Sequence, residues 1–529
     1  MEITRKNFAE EFENIVTNLK RCCFVGFDAE FTALLSGENF KYRLFDTNEE
    51  RYDKLKSEVS KMIMTQVGLT MFQYDREHDS YIAVGYTFHL CPQNLGDIDQ
   101  SFIFQASTLK FLCKHNFNFN KFAYEGIPYL CKAEESKIRE HMKNKTLHNY
   151  LTPSLEIEEE KQIQRYCSEV CKWLSDSEED TMYIDMKNPI LRYLIHSEIR
   201  MRFPNVLTTD SLGNSNKILI YRDKYVEGAS SAPVAILEEN LMKDLLGFSQ
   251  IIKLLAHYRK PLIGHNIFLD MILLHNQFIS PLPRSYSNFK KNINSMLPII
   301  FDTKYISLEM SKKLTFDEVW KSNALQDLYE FFAEGKCKKL QNGVNFVKLS
   351  TPFNVNQSYH EAGWDSYCTG YCFIRLGHWA ACENRGKYRP VGPTEKLAAM
   401  APYCNKVNVI RGAIPYMNLA ENDPPKHRPD LLHVKSIKER IINIEKVASA
   451  LAAFGSVDVK PYGSRTALIA TGTQFTADKI LKQFRDSRDY RISPYNAFRH
   501  STAGRIAIWG GAFITGSLLL LLLHKKVKS

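Results

Sequence analysis

The 529-residue chain has no C-x-x-C pair. Its twelve cysteines are scattered, and the close pairs Cys167/Cys171 and Cys368/Cys372 have the i,i+4 spacing of one helical face. That excludes a zinc ribbon or a dithiol redox motif and points to reduced thiols. An apolar stretch is missing from the N-terminus, MEITRKNFAEEFENI, which carries acids early and so predicts no secretory signal. The composition of a disordered chain is missing too: 44% of residues are hydrophobic and 24% charged. A chain this long holds about two to four domains, each with its own core. The formal charge of +10 fits an anionic partner such as nucleic acid or a membrane surface, and equally fits plain solubility.

What is present begins with FVGFDAEF, Phe24 to Phe31. It reads as a strand, yet Asp28 and Glu30 lie two apart and therefore project from one face. Two carboxylates side by side in an apolar strand repel unless a positive group lies between them. A bound metal is the candidate. Upstream, Asn7 to Leu19 has helical periodicity; downstream, MTQVGLTMFQY and YIAVGYTFHLC predict a hairpin turned by DREHDS. A charged helical pattern, EIEEEKQIQRYCSEVCKWL, begins near Leu155, followed by a second helix and the strand ILIYRD. The mixed α/β signal resumes near Glu238 and runs to about Arg385, so one domain is interrupted by an inserted module. Leu431 to Tyr495 reads strand, helix, strand, strand, helix, strand, the ferredoxin-like order used by RNA-recognition domains. The expected divisions are 1–155 and 236–390 for the two parts of the main domain, 156–235 for the insert, 391–495 for a linker and the ferredoxin-like domain, and 506–523 for a C-terminal span.

A metal site acting on phosphate esters draws carboxylates from several elements. In PLIGHNIFLDMILLH a strand-like run enters a helix read as capped by Asn266, with Asp270 one turn inside it. In HEAGWDSYCTGYCFI, His360 and Asp365 lie five apart at the start of a predicted helix whose apolar positions include Tyr367, Tyr371 and Ile374. Taken singly, Asp270 reads as a solvated helix residue and His360 as a cap or packing group.

Together, D-x-E, an Asp after a G-H-N turn, and H-x-A-x-x-D resemble the DEDDh family of 3′-to-5′ exonucleases. Within it, FVGFDAEFTAL, NKFAYEGIPYL, PLIGHNIFLD, FDTKYIS and HEAGWDSYCTG resemble the poly(A)-specific ribonuclease group in order, over about Asn7 to Asp489. The resemblance implies an α/β, RNase H-like exonuclease fold, a mixed sheet flanked by helices. It implies that Asp28, Glu30 and Asp365 hold one divalent cation, that Asp28 bridges to a second, and that Asp270 assists. Oxygen ligands suit Mg²⁺ or Mn²⁺, and two ions about 4 Å apart would activate water and stabilise the leaving 3′-oxygen. His360 is the implied general base, and Phe31 is placed to contact the terminal nucleotide, with a core aromatic as the alternative.

The insert's NPILRYLIHSEIRMRFPN carries Arg192 and His196 on one helical face, with Arg200 and Arg202 further along. It resembles a degenerate copy of the nucleic-acid-binding Arg-x-x-x-His module of that ribonuclease group; a merely solvated basic face is the alternative. The ferredoxin-like segment lacks aromatics in LLHVKSI and TALIAT, so packing or dimerisation competes with base stacking. Ile506 to Leu523 is an uncharged run of 18 residues, about 27 Å as a helix, and reads as a single transmembrane tail anchor with the bulk of the chain in the cytosol. That tail is similar to the PARN-like domain-containing branch. The resemblance then implies trimming of single-stranded RNA 3′ ends on PIWI-bound piRNA precursors, a Tudor-domain scaffold, the mitochondrial outer membrane and a homodimer. The endoplasmic reticulum is the alternative membrane. A membrane-tethered deadenylase and a catalytically silent RNA-binding adaptor remain the competing functions.

Overall fold

The structure is a computed structural model and describes residues 1–33, 42–203, 206–211, 214–222, 234–314, 320–335, 345–350, 359–383, 389–412, 414–425 and 428–500. The chain divides into two compact units: residues 1–40, 52–408 and 418–422, and residues 41–51, 409–417 and 423–529.

The first unit is built on a mixed sheet of β1 (Glu2–Ile3), β2 (Phe24–Phe31), β3 (Met64–Asp75), β4 (Ser80–His89), β8 (Leu262–Gly264), β9 (Ile300–Asp302) and β10 (Val347–Leu349). The strand order is β1-β4-β3-β2-β8-β9, with β10 also on β4. The hairpin β3/β4 pairs antiparallel around the turn read from DREHDS. β2 pairs antiparallel with β3 and parallel with β8, so FVGFDAEF is a central strand. A register shift falls between Glu30 and Phe31, a bulge of the kind that re-aims side chains beside active sites.

Helix α1 (Phe8–Arg21) covers the sheet with Phe8, Ile15, Val16 and Leu19, one apolar stripe at helical spacing. Across the sheet lies the long α8 (Ala362–Glu383), buried almost all round, with apolar and small residues on most of its positions. Phe24 stacks on Phe72 at 4.8 Å and meets Phe373 of α8 edge-on at 5.3 Å. Such ring pairs add about 0.5–1.5 kcal/mol each beyond their buried area.

The segment expected as an insert forms α3 (Ile157–Asp176), α4 (Pro189–Arg202) and a small sheet of β5 (Thr181–Asp185), β6 (Val206–Ser211) and β7 (Asn214–Arg222), ordered β5-β7-β6. It shares one hydrophobic core with Leu95, Leu130 and Leu241, the last on α5 (Val234–Leu246). Its helices therefore complete a core that the flanking segments also build.

The second unit contains β11 (Leu432–Ser436), α9 (Ile444–Ala452), β12 (Val457–Gly463), β13 (Thr466–Thr471), α10 (Gln474–Gln483) and β14 (Tyr490–Pro494). The antiparallel sheet order β12-β13-β11-β14 is the ferredoxin-like topology. Asn443 and Thr473 cap the two helices through their side chains. His433, on the central strand β11, is buried beneath a ring stack with His500 at 4.1 Å. The run 506–523 lies outside the described residues; among those described, no helix is long and apolar enough to cross a membrane. The cysteines among the described residues are free thiols.

Candidate active site

Alternation along β2 sets Gly26, Asp28 and Glu30 on one face, and their partners across β3 are Thr70, Gly68 and Gln66. The two glycines let α8 approach. A Cβ on Gly26 would lie 2.2 Å from the Ser366 carbonyl oxygen, and one on Gly68 would lie 1.8 Å from that of Ala362. No side chain fits there, so the first turns of α8 rest directly on sheet backbone. Gln66 Oε1 accepts from the Ala362 N–H at 3.0 Å, and the Thr70 and Ser366 hydroxyls share a hydrogen bond at 2.7 Å. Glu361 caps the helix by accepting from Trp364 N–H at 2.8 Å and Gly363 N–H at 3.3 Å.

This seating brings Asp365, in the first turn of α8, against the strand carboxylates. One donor atom each from Glu30, His360 and Asp365 lies within 4.8 Å of the others. His360 holds a left-handed φ of 68° and its N–H donates to Asp365 Oδ2 at 3.0 Å. For a non-glycine residue this conformation costs about 1–3 kcal/mol and is a feature of functional sites.

Asp270 arrives from the third position of α6 (Phe268–Leu274). The cap expected at Asn266 is not there: Ile267 precedes the helix, and Asn266 has φ 62°. The turn is held instead by the carboxylate of Asp302. It accepts from the N–H groups of Asn266 (2.8 Å), Ile267 (3.3 Å) and Asn408 (2.9 Å), and from Lys304 and Tyr305 of its own helix α7 (Thr303–Ser311). A carboxylate, with two acceptor oxygens, outcompetes a single side-chain amide for several converging amides.

Burial first, and then repulsion from Asp365 and Asp270, holds the carboxyls of Asp28 and Glu30 well above the ordinary range. Burial likewise raises Asp270 and Asp365 to about 7. Asp28 and Asp270 thus belong to the charge cluster, while the tight donor group is Glu30, His360 and Asp365. Asp365 Oδ1 is buried and, among the described residues, has no hydrogen-bond partner. Crowded carboxylates with an orphaned oxygen fit a divalent cation, which supplies the missing counter-charge and reverses these shifts. The carboxylate oxygens suit Mg²⁺ or Mn²⁺. The His360 pKa is lowered by burial and by His115 and Lys114, which keeps the ring neutral and able to accept a proton.

Three residues expected at RNA are buried. Phe31 is 8% exposed, as deep as the site carboxylates Glu30 and Asp270. On α4, Arg192 and His196 are 6% and 1% exposed. Arg192 Nη2 bonds Asp244 Oδ2 at 2.8 Å. Arg200 donates to Thr208, and Arg202 to Glu198 and Gln164. Arg192 and His196 face inward because α4 is the central helix of that core, whereas Arg202 at its C-terminal end remains exposed. Sequence reasoning also passed over Gly26, Gly68, Glu361 and Asp302. Gly26 and Glu361 stand inside the quoted motifs, and Gly68 stands mid-strand, where a glycine signals close backbone approach.

Carboxylates from two helices and a central strand, gathered with one histidine, define the class of metal-dependent phosphodiester hydrolases. The chain belongs to the CAF1 family ribonucleases, matching that family over residues 3–373, and is a 3′-to-5′ exoribonuclease. It is 66% identical over 529 residues to the pre-piRNA 3′-exonuclease trimmer of Bombyx mori, covering 100% of this chain and 99% of that protein. It is 30% identical over 511 residues to the poly(A)-specific ribonuclease PNLDC1 of Mus musculus, covering 93% and 94%. It is 27% identical over 520 residues to the human poly(A)-specific ribonuclease PARN, covering 94% and 80%.

Proposed function

We propose that this exoribonuclease trims the 3′ ends of PIWI-bound piRNA precursors. The observation that carries the reading is the convergence of Asp28, Glu30, Asp270, His360 and Asp365, in a chain 66% identical end to end to a pre-piRNA trimmer. Asp28, Glu30, Asp270 and Asp365 would hold Mg²⁺, two ions being the expected number. Bound divalent cations supply acidification of the attacking water and stabilisation of the leaving 3′-oxygen. His360, neutral and half-exposed at the edge of the cluster, takes the proton of the water that attacks the terminal phosphodiester. The Asp365 carboxylate accepts from the His360 backbone, and its second oxygen, without a hydrogen-bond partner among the described residues, would serve the cation.

The uncharged run 506–523, flanked by Arg505 and by Lys525, Lys526 and Lys528, supports a single-pass tail anchor in the mitochondrial outer membrane with the catalytic unit in the cytosol. A Tudor-domain scaffold there, homodimerisation and an RNA-recognition role for the ferredoxin-like unit complete the proposal, supported by the sequence resemblance. A second reading, deadenylation, is favoured by the names of the relatives at 30% and 27% identity. The test incubates membrane fractions with PIWI-loaded long RNAs and with free poly(A), using Asp28→Ala as control. Preferential shortening of PIWI-loaded RNA, lost in the variant, is expected; equal or faster degradation of free poly(A) would select the deadenylase. Activity that survives Asp28→Ala would refute the site.

A further inference from the structure

The backbone of His360 is anchored by Asp365, but among the described residues its imidazole makes no hydrogen bond to protein. What touches the ring is the end of a helix from elsewhere in the chain. Helix α2 (Ala106–Lys114) closes with a double bond pattern: Phe117 N–H donates to Leu112 O at 3.0 Å and Asn116 N–H to Cys113 O at 3.2 Å. Asn116 takes a left-handed φ of 58°. That is a Schellman cap, with asparagine in the position that usually takes glycine. It fixes the backbone of His115, the last residue before the reversal. Phe111 and His115 are i,i+4 neighbours on this helix end, their rings 4.5 Å apart. The His360 ring meets both edge-on, Phe111 at 4.8 Å and 71°, His115 at 4.3 Å and 65°. Three rings thus form a closed triangle with the catalytic imidazole at one corner.

We propose that His115 is a positioning residue which, with Phe111, clamps the His360 ring in the orientation from which it accepts the proton of the attacking water. The inference rests on the reading of His360 as the general base. An imidazole carried on a left-handed residue and free of hydrogen bonds can rotate about its side-chain torsions, and each misaligned rotamer is catalytically idle. Packing against a rigid helix cap removes that freedom before substrate arrives. The contact is between ring edges and faces, so any flat aromatic side chain of similar size at 115 should serve.

The test uses the full-length protein with Mg²⁺ and a 5′-labelled single-stranded RNA, comparing His115→Ala, His115→Phe, His115→Gln and His360→Ala. His115→Ala should lower kcat by roughly tenfold to a hundredfold with KM unchanged. His115→Phe should restore most of that loss, and His115→Gln should not. In the His360→Ala background, His115→Ala should have no further effect. Thermal midpoints identify any variant that fails to fold; if the alanine variant does, the phenylalanine and glutamine pair still separates a packing role from a polar one. Unchanged kcat in His115→Ala, a rise in KM alone, or equal loss in His115→Phe and His115→Ala would overturn the clamp. If His360→Ala itself keeps full activity, the general-base assignment fails; if it is inactive while His115→Ala is normal, only the clamp fails.

Discussion

Two regions of the first unit bury charge, and they do so in opposite ways. On α4, Arg192 is inside the core but bonded to Asp244, and Arg200 and Arg202 also find partners within the chain. Around β2 and α8, the half-buried Asp28 and the buried Glu30, Asp270 and Asp365 crowd together with their pKa values raised, and Asp365 keeps an oxygen without a partner among the described residues. The difference teaches how to separate structural from catalytic charge. A compensated buried ion belongs to packing, whereas an uncompensated cluster is kept only where an outside charge completes it.

The contrast can be broken most severely at Asp28. Asp28→Asn should reduce RNA hydrolysis by about a hundredfold to a thousandfold, yet leave the thermal midpoint in EDTA unchanged or higher, because it removes one of the repelling charges. A lower midpoint together with intact hydrolysis would reverse the assignment. Next comes the surface on which the cluster is seated. Gly68→Ala would drive a methyl into the Ala362 carbonyl, and should cost about 1–3 kcal/mol in urea unfolding along with much of the turnover rate, since α8 carries Asp365.

On the compensated side, Arg192→Ala should lower stability by about 1–3 kcal/mol, chiefly through the packing its buried side chain leaves, while RNA affinity and turnover stay at the wild-type level. A specific loss of RNA binding in a fully stable protein would restore the helix to the substrate path. A further effect is on pH. Asp270 and Asp365 titrate at about 7 in the fold against an ordinary 3.8. Between those values the folded state binds more protons than the unfolded one, so stability is highest at low pH and falls as pH rises towards 7. Thermal midpoints in EDTA should show this decline, and Mg²⁺ should abolish it.

Much of the fold is legible in the sequence wherever periodicity is strong. FVGFDAEF, the hairpin around DREHDS and the βαββαβ order occupy the elements expected of them, because alternation and turn residues act locally. Two local patterns mislead for one reason, that spacing within a short segment does not report its distant partners. Asp302, at the end of the neighbouring strand β9, holds the turn in place of an Asn266 cap, and packing of whole elements buries Arg192 and His196. Residues that act through distant partners, such as Gly68 beneath Ala362 or His115 against His360, leave little local trace.

The sequence by itself determined which residue types occur in which order, and so the ribonuclease family and its five polar positions. Only the tertiary structure decided that Glu30, His360 and Asp365 share one small volume while Arg192 and His196 are sealed in a core. The physical reason is that one amphipathic pattern can be satisfied by burial or by exposure of its polar members. The choice depends on what packs against them from hundreds of residues away.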